Sequence, residues 1–275
     1  MLIALCSAKG SPGVSTAAVG LGMRWPHREP VVVECDPTGG DLAARFGLRP
    51  APGLVSLAAA ARREPDPALI GQHSQFLPGG LRVVPGPVAA DQARAALRVL
   101  TAREPHVLRS AGNLVNAAVI VDVGRIDLAS PSLPVVRGAD AVLLLARPLV
   151  DELSHVATLL AAVPTWTRTP GLVLVGSGYP VRDVERELGI PVMAVLPNDP
   201  RAANALTGKS SGGAGHGKSA LGKALAQLAQ HLVYGTRALP QMPRAVAPAQ
   251  REVQTRTGVL SATSTTPALN GTTPR

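Results

Sequence analysis

Residues 5–16 read LCSAKGSPGVST. A short apolar stretch, Met1–Cys6, runs into a glycine-rich turn, and a Ser-Thr pair opens a segment with helical spacing over 15–24. Strand, glycine-rich turn and helix start are the parts of a phosphate-binding loop. The glycines let backbone N–H groups converge on phosphate oxygens, the helix N-terminus adds positive potential, and a Ser or Thr hydroxyl completes a Mg²⁺ shell. Against the pattern G-x-x-x-x-G-K-[ST], Gly13 and Ser15 fit, but Ala8 replaces the first glycine and Val14 the lysine. Taken alone, the stretch has two readings: a nucleotide site without its usual lysine, or a strand–helix turn with no ligand.

The rest of the chain supplies the context. Further short apolar runs, at 31–35, 81–85, 117–123, 141–146, 171–176 and 191–197, are bounded by Gly, Pro or charges, as buried strands are. Helical patterns over 54–63, 89–103, 151–163, 181–188 and 219–233 fall between most of them. This alternation predicts an α/β fold: a doubly wound, mostly parallel sheet of seven or eight strands with helices on both faces. A composition of 46% hydrophobic but only 2% aromatic residues makes Val, Leu, Ile and Ala the core, which suits such a sheet. The opening run has no basic residue before it and leads straight into glycine, so it reads as a first strand rather than a signal peptide.

Two more strand ends carry acids. VVVECDPTGGDLAARFGL (31–48) ends its strand with Glu34 and Asp36, followed by Pro, two glycines and a helix. VIVDVGRIDLASPSL (119–133) ends its strand with Asp122, the usual outer-shell Mg²⁺ partner in such folds, although an Asp there is often only a helix cap. All three loops fall at the carboxyl edge of one parallel sheet, where ligands bind. No G-x-G-x-x-G follows the first strand, which argues against a dinucleotide-dependent oxidoreductase. Residues 212–219 (GGAGHGKS) fit G-x-x-x-x-G-K-S as text, but a helical and then polar segment precedes them instead of a strand. They read as a glycine-serine loop before the last helix.

In order and spacing these motifs resemble the ParA/MinD superfamily of P-loop ATPases, and within it the divergent CpaE/TadZ-like branch with a degenerate deviant Walker A motif. That family's K-G-G-x-G-K-[ST]-[ST] stands here as K-G-S-P-G-V-S-T over 9–16. The resemblance covers about residues 1–235 and implies ATP and Mg²⁺ as cofactors. It implies Lys9 as the signature lysine that reaches phosphates, in many members across a dimer interface. Gly10, Ser11, Gly13, Val14, Ser15 and Thr16 would form the phosphate cradle, with Ser15 and Asp122 serving the metal. Asp36 would position the attacking water, so Lys9 and Asp36 are the catalytic candidates. Pro197 and Asp199, in VLPNDPRAANAL (195–206), would border the adenine ring. The departure is Val14, because a lysine there neutralises charge between the β- and γ-phosphates. Lys9, Arg125 and Arg147 are candidates to compensate; an exposed loop lysine is the plainer reading of Lys9.

Charge divides the chain unevenly. The net +9 splits into 18 basic and 17 acidic residues over 1–200, against 9 and 1 over 201–275. Such a basic C-terminal third attracts nucleic acid, anionic lipid or an acidic partner, or simply solubilises the chain. Past about 240 the sequence is Pro, Thr and Ser without period, so we expect a nucleotide-binding domain over 1–237 and a disordered basic tail over 238–275. No run approaches the length of a bilayer span, the two cysteines read as buried thiols, and the six histidines lack metal-ligand spacing. The resemblance implies a cytoplasmic switch, recruited to a membrane pole or the nucleoid, that dimerises with ATP and positions a pilus or secretion apparatus, a division site or a DNA cargo. Hydrolysis would be weak. The alternatives are a pseudo-ATPase scaffold and nonspecific DNA binding through the basic third.

Overall fold

A computed structural model describes residues 1–9, 12–26, 29–167, 169–208 and 218–235. In chain order the elements are β1 (Leu2–Ser7), α1 (Val14–Met23), β2 (Glu29–Glu34), α2 (Leu42–Phe46), α3 (Leu54–Arg63) and α4 (Leu69–Gln72). Next come β3 (Gln75–Phe76), β4 (Arg82–Val84), α5 (Ala90–Leu100), α6 (Val107–Gly112), β5 (Ala117–Arg125) and α7 (Leu133–Arg137). The last set is β6 (Ala141–Ala146), α8 (Val150–Leu160), β7 (Pro170–Val175), α9 (Val181–Leu188), β8 (Val192–Leu196), α10 (Pro200–Leu206) and α11 (Ala220–Gly235).

The strands form one eight-stranded sheet in the order β3-β4-β2-β5-β1-β6-β7-β8. Every pairing is parallel except β3 with β4. Successive side chains of a strand point to opposite faces, and the core divides accordingly. Leu2, Ala4 and Cys6 of β1, with Val119, Val121 and Val123 of β5, join a cluster that includes α3, α5, α6 and α8 residues. Ile3 and Leu5, with Ala118 and Ile120, join the opposite cluster, which includes α1, α10 and α11. Both faces of the sheet are thus covered, as a buried parallel sheet requires.

The expected strands and long helices all form, with ends shifted by at most three residues. The sequence reading missed β3, a two-residue edge strand that returns to β4 through Pro78-Gly79-Gly80. Cys6 and Cys35 are buried free thiols, and burial pushes the Cys6 thiol up to about 12. Among the described residues no helix is long and apolar enough to cross a membrane. The expected tail, 238–275, lies outside the described residues.

Candidate functional site

The loop after β1 ends at Gly13, whose φ of 97° and ψ of 36° lie in the left-handed region that glycine tolerates best. Gly13 is the N-cap of α1; among the described residues no side chain caps that helix, and no acid stands in its first turn. The first N–H groups of a helix lack intrahelical partners and carry positive potential. α1 therefore presents an uncapped N-terminus at the carboxyl edge of the central strand. Gly10 and Ser11 lie outside the described residues.

Strand periodicity brings the acids to this helix. Asp122 follows Ala118 and Ile120 on the α1 face of β5 and pairs in register with Leu5 of β1 and Glu34 of β2. Its carboxylate accepts the N–H of Gly124 at 3.0 Å, and the Ser15 hydroxyl lies close enough to favour its ionised form. Asp122 is buried, and desolvation, reinforced by Asp36, pushes its pKa from 3.8 up to about 6 against the pull of the nearby Ser15 hydroxyl and the Gly124 hydrogen bond. Asp36 accepts the Thr38 backbone N–H at 2.7 Å and the Thr38 hydroxyl at 2.6 Å. Its own pKa is also raised, chiefly by burial. Gly124, at φ 64°, makes room for it, since a Cβ there would sit 1.8 Å from Asp36 Oδ2.

Glu34, for which the sequence suggested no role, is a buried tie between two loops. Its Oε1 accepts the N–H groups of Asp41 at 2.9 Å and Leu42 at 3.0 Å, and its Oε2 that of Gly86 at 2.8 Å. Burial, with Asp122 alongside, still lifts its pKa to about 7. The Ser132 hydroxyl adds a second tie, donating to the Cys35 carbonyl at 2.6 Å.

Beside the α1 N-terminus lies an open cleft of about 340 Å³. Gly13 and Thr16 line one side, Ser177 the end of β7, and Pro197, Asn198 and Asp199 the end of β8, with Arg147 at its rim. Asp199 also caps α10, accepting the Ala202 N–H at 3.0 Å. Lys9 stands apart from this cleft, its Nζ 3.7 Å from Asp151 Oδ2 at the start of α8. The Val14 side chain, only 6% exposed, packs in the cluster with Ile3 and Leu5. The position offers the site a backbone N–H and no charge. Arg125 is exposed at the end of β5. Arg45 of α2, not singled out by the sequence, lies near enough to favour the ionised form of Asp122. Residues 209–217 are outside the described set; Lys218 and Ser219 follow helix α10 and not a strand, and Ser219 accepts the Gly222 N–H at 3.0 Å.

This donor set fits a nucleotide with a divalent cation. An uncapped helix end suits phosphate, a hydroxyl and a buried carboxylate suit Mg²⁺, and buried carboxylates with raised pKa values favour a nearby positive charge. No protein-family model matches the chain, and no curated protein matches its sequence. Solved structures do match its architecture. The cell division ATPase MinD of Pyrococcus furiosus superposes with a TM-score of 0.69 at 21% identity, over 84% of this chain and 98% of that one. The chain has the fold of the MinD and ParA ATPases. MinD from Pyrococcus horikoshii OT3, a septum site-determining protein complexed with Mg-ADP, gives a TM-score of 0.68 at 18% identity, over 86% and 99% of the two chains. A ParA family ATPase from Chlorobium tepidum TLS gives 0.65 at 20%, over 84% and 98%. At these identities the MinD/ParA likeness is one of fold.

Glu34 escaped sequence reading because a buried acid looks the same as a ligand-binding one until its donors are seen. Glu152, which holds Arg147, had only one signal, an acid in the first turn of a helix.

Proposed function

We propose that the chain is a nucleotide-dependent switch of the MinD/ParA kind, which binds ATP with Mg²⁺ at the loop after β1. The observation that carries this reading is the placement of Asp122, a buried carboxylate on the neighbouring strand, beside Ser15 in the first turn of α1. In this reading Gly10, Ser11, Gly13, Val14 and Thr16 cradle the phosphates by their backbone and hydroxyl groups. Ser15 and Asp122 serve the cation, and Pro197 and Asp199 border the base. Asp36 orients a water and Lys9 approaches the phosphates once it leaves Asp151. Hydrolysis is slow, because Val14 supplies no charge to the transition state.

A switch of this type acts through loops ordered by the γ-phosphate. Proteins of the same fold include a cell division ATPase, a ParA family ATPase and a MinC:MinD complex. We accordingly assign the chain to spatial positioning in the cytoplasm (a division site, a pilus or secretion apparatus of the CpaE/TadZ kind, or a DNA cargo), acting as an ATP-bound homodimer. The burial of Val14 favours a second reading, a pseudo-ATPase scaffold that keeps the architecture without the nucleotide.

Equilibrium binding of a fluorescent ATP analogue, with and without Mg²⁺, separates the two. The switch reading expects Mg²⁺-dependent binding that weakens about tenfold or more in Ser15→Ala and Lys9→Ala, the loss typical of a charge-assisted contact. Absence of binding by the wild type at millimolar ligand would leave the scaffold reading standing.

A further inference from the structure

Replacing the lysine by Val14 removes a cation from the place where a phosphate chain would lie, yet the cleft is not without one. Among the described residues lining it, Arg147 is the basic side chain. It stands where β6 ends, lines the cleft together with Gly13 and Thr16, and its side chain is 53% exposed. Its position is fixed from behind. The Arg147 backbone N–H donates to Glu152 Oε2 at 2.7 Å, and its Nη1 lies 3.7 Å from Oε1 of the same carboxylate. Glu152 is buried, 7% exposed, in the first turn of α8. The following residue, Pro148, has its carbonyl tied to the Tyr179 N–H at 2.8 Å, which locks the loop after β6 to the loop after β7.

Two other cations nearby, Lys9 and Arg45, are engaged differently. Lys9 pairs with Asp151, whose side chain is 61% exposed, and does not line the cleft. Arg45 of α2 pairs with Asp41, the N-cap residue of that helix. An exposed pair of that kind is worth little and breaks readily. A buried carboxylate beneath a half-exposed guanidinium is a different device. It holds the base of the side chain while the long 3.7 Å separation leaves the planar fork free to meet an anion with two parallel hydrogen bonds.

We propose that Arg147, held by Glu152, is the cation that grips the phosphate chain of a bound nucleotide in place of the lysine that Val14 replaces. The ligand class is a nucleoside di- or triphosphate. The inference rests on the nucleotide-switch reading and adds a residue to its site that the deviant loop pattern does not contain. Glu152 is then a positioning residue, acting through Arg147.

The test compares adenosine, ADP and ATP as competitors of a fluorescent ATP analogue, for the full chain as wild type, Arg147→Ala, Arg147→Lys and Glu152→Gln. Arg147→Ala is expected to weaken ADP and ATP about tenfold or more, as loss of a charge-assisted bidentate contact does, with adenosine changed less than about twofold. Arg147→Lys recovers part of the loss by charge without the fork, and Glu152→Gln falls between wild type and Arg147→Ala. Melting temperatures within a few degrees of wild type confirm that the variants fold; the half-exposed side chain makes that the expected result. Equal weakening of adenosine and ADP would overturn the proposal, since it would put Arg147 against the base or ribose. So would unchanged ADP binding in Arg147→Ala. A wild type that binds none of the three ligands would instead sink the nucleotide reading itself, and the wild-type titration alone shows it.

Discussion

At the scale of single residues, the site is an excess of buried acid with little opposing charge. Glu34, Asp36 and Asp122 lie on or just past neighbouring strand ends, and all three have raised pKa values with burial as the leading cause. For Asp122 the folded-state value of about 6 lies above the ordinary 3.8. The folded state therefore holds the proton more tightly than the unfolded chain, and the stabilisation is complete below about pH 4 and lost as pH rises through about 6. Glu34 extends the same trend from 4.5 to about 7. Without ligand, the protein is expected to melt at a lower temperature at pH 7.5 than at pH 5. Asp122→Asn keeps an oxygen for Ser15 and Gly124 and removes the charge. It should raise stability at pH 7.5 by on the order of 1–3 kcal/mol, with a smaller gain at pH 5 and none below about pH 4, while Mg²⁺-dependent nucleotide binding is lost. Thermal unfolding across that pH range checks this; a wild type equally stable at pH 5 and 7.5, or an Asp122→Asn variant with the same pH slope, would refute it. Asp122 was legible in the sequence because strand periodicity puts it on the face of Ile120 and so beside α1. Glu34 was not, because its role depends on Gly86, 52 residues away in the chain.

At the scale of elements, the sequence was most legible where a segment is long and strongly patterned. Helices α3 and α9 form over the ranges read from spacing, 54–63 and 181–188, and β6 over 141–146. The helices α4, α6 and α7, of four to six residues, are too short for a 3.6-residue period to register. The strand β3 is too short for alternation to register, although its Pro-Gly-Gly turn is a hairpin signal in itself. Packing between helices was invisible as well. α1 carries Gly20 and Gly22 in mid-helix, a weak choice by propensity. Gly20 is explained by α10 and α11: a Cβ there would lie 2.4 Å from Leu225 Cδ1 and 3.0 Å from Leu206 Cδ1. A rotation of Leu225 cannot relieve both contacts. Gly20→Val is therefore expected to cost about 1–3 kcal/mol of stability, read as a lower urea midpoint at unchanged slope. A midpoint equal to that of wild type would mean that α11 does not press on α1 as described.

At the scale of the whole molecule, the parallel sheet collects function at one edge, because every β–α loop after a parallel strand returns there. The three acidic and glycine-rich loops could be placed at that edge from the sequence alone. The basic C-terminal third could be read only as charge, since most of it lies outside the described residues. The same edge also carries apolar side chains that the sheet does not use: Leu128 after β5, Leu149 and Val150 after β6 and Tyr179 after β7 are exposed. They lie at the edge of the site rather than the opposite, amino-terminal edge, so a second copy that covered them would also cover the proposed nucleotide site. Lys9 and Arg147, each held by an acid of the α8 first turn, border the same surface. If the site works as proposed, ATP with Mg²⁺ should convert the 28.2 kDa chain from monomer to dimer in sedimentation velocity, and ADP should not. Leu128→Glu with Val150→Glu places charge on this surface without touching Ser15, Asp122 or the cleft. That double variant should bind the fluorescent ATP analogue within about twofold of wild type yet stay monomeric with ATP, because like charges brought face to face across an interface repel. A dimer formed equally by ATP, ADP and no nucleotide would detach assembly from the switch. A dimer that survives the double substitution would move the interface to another face of the molecule.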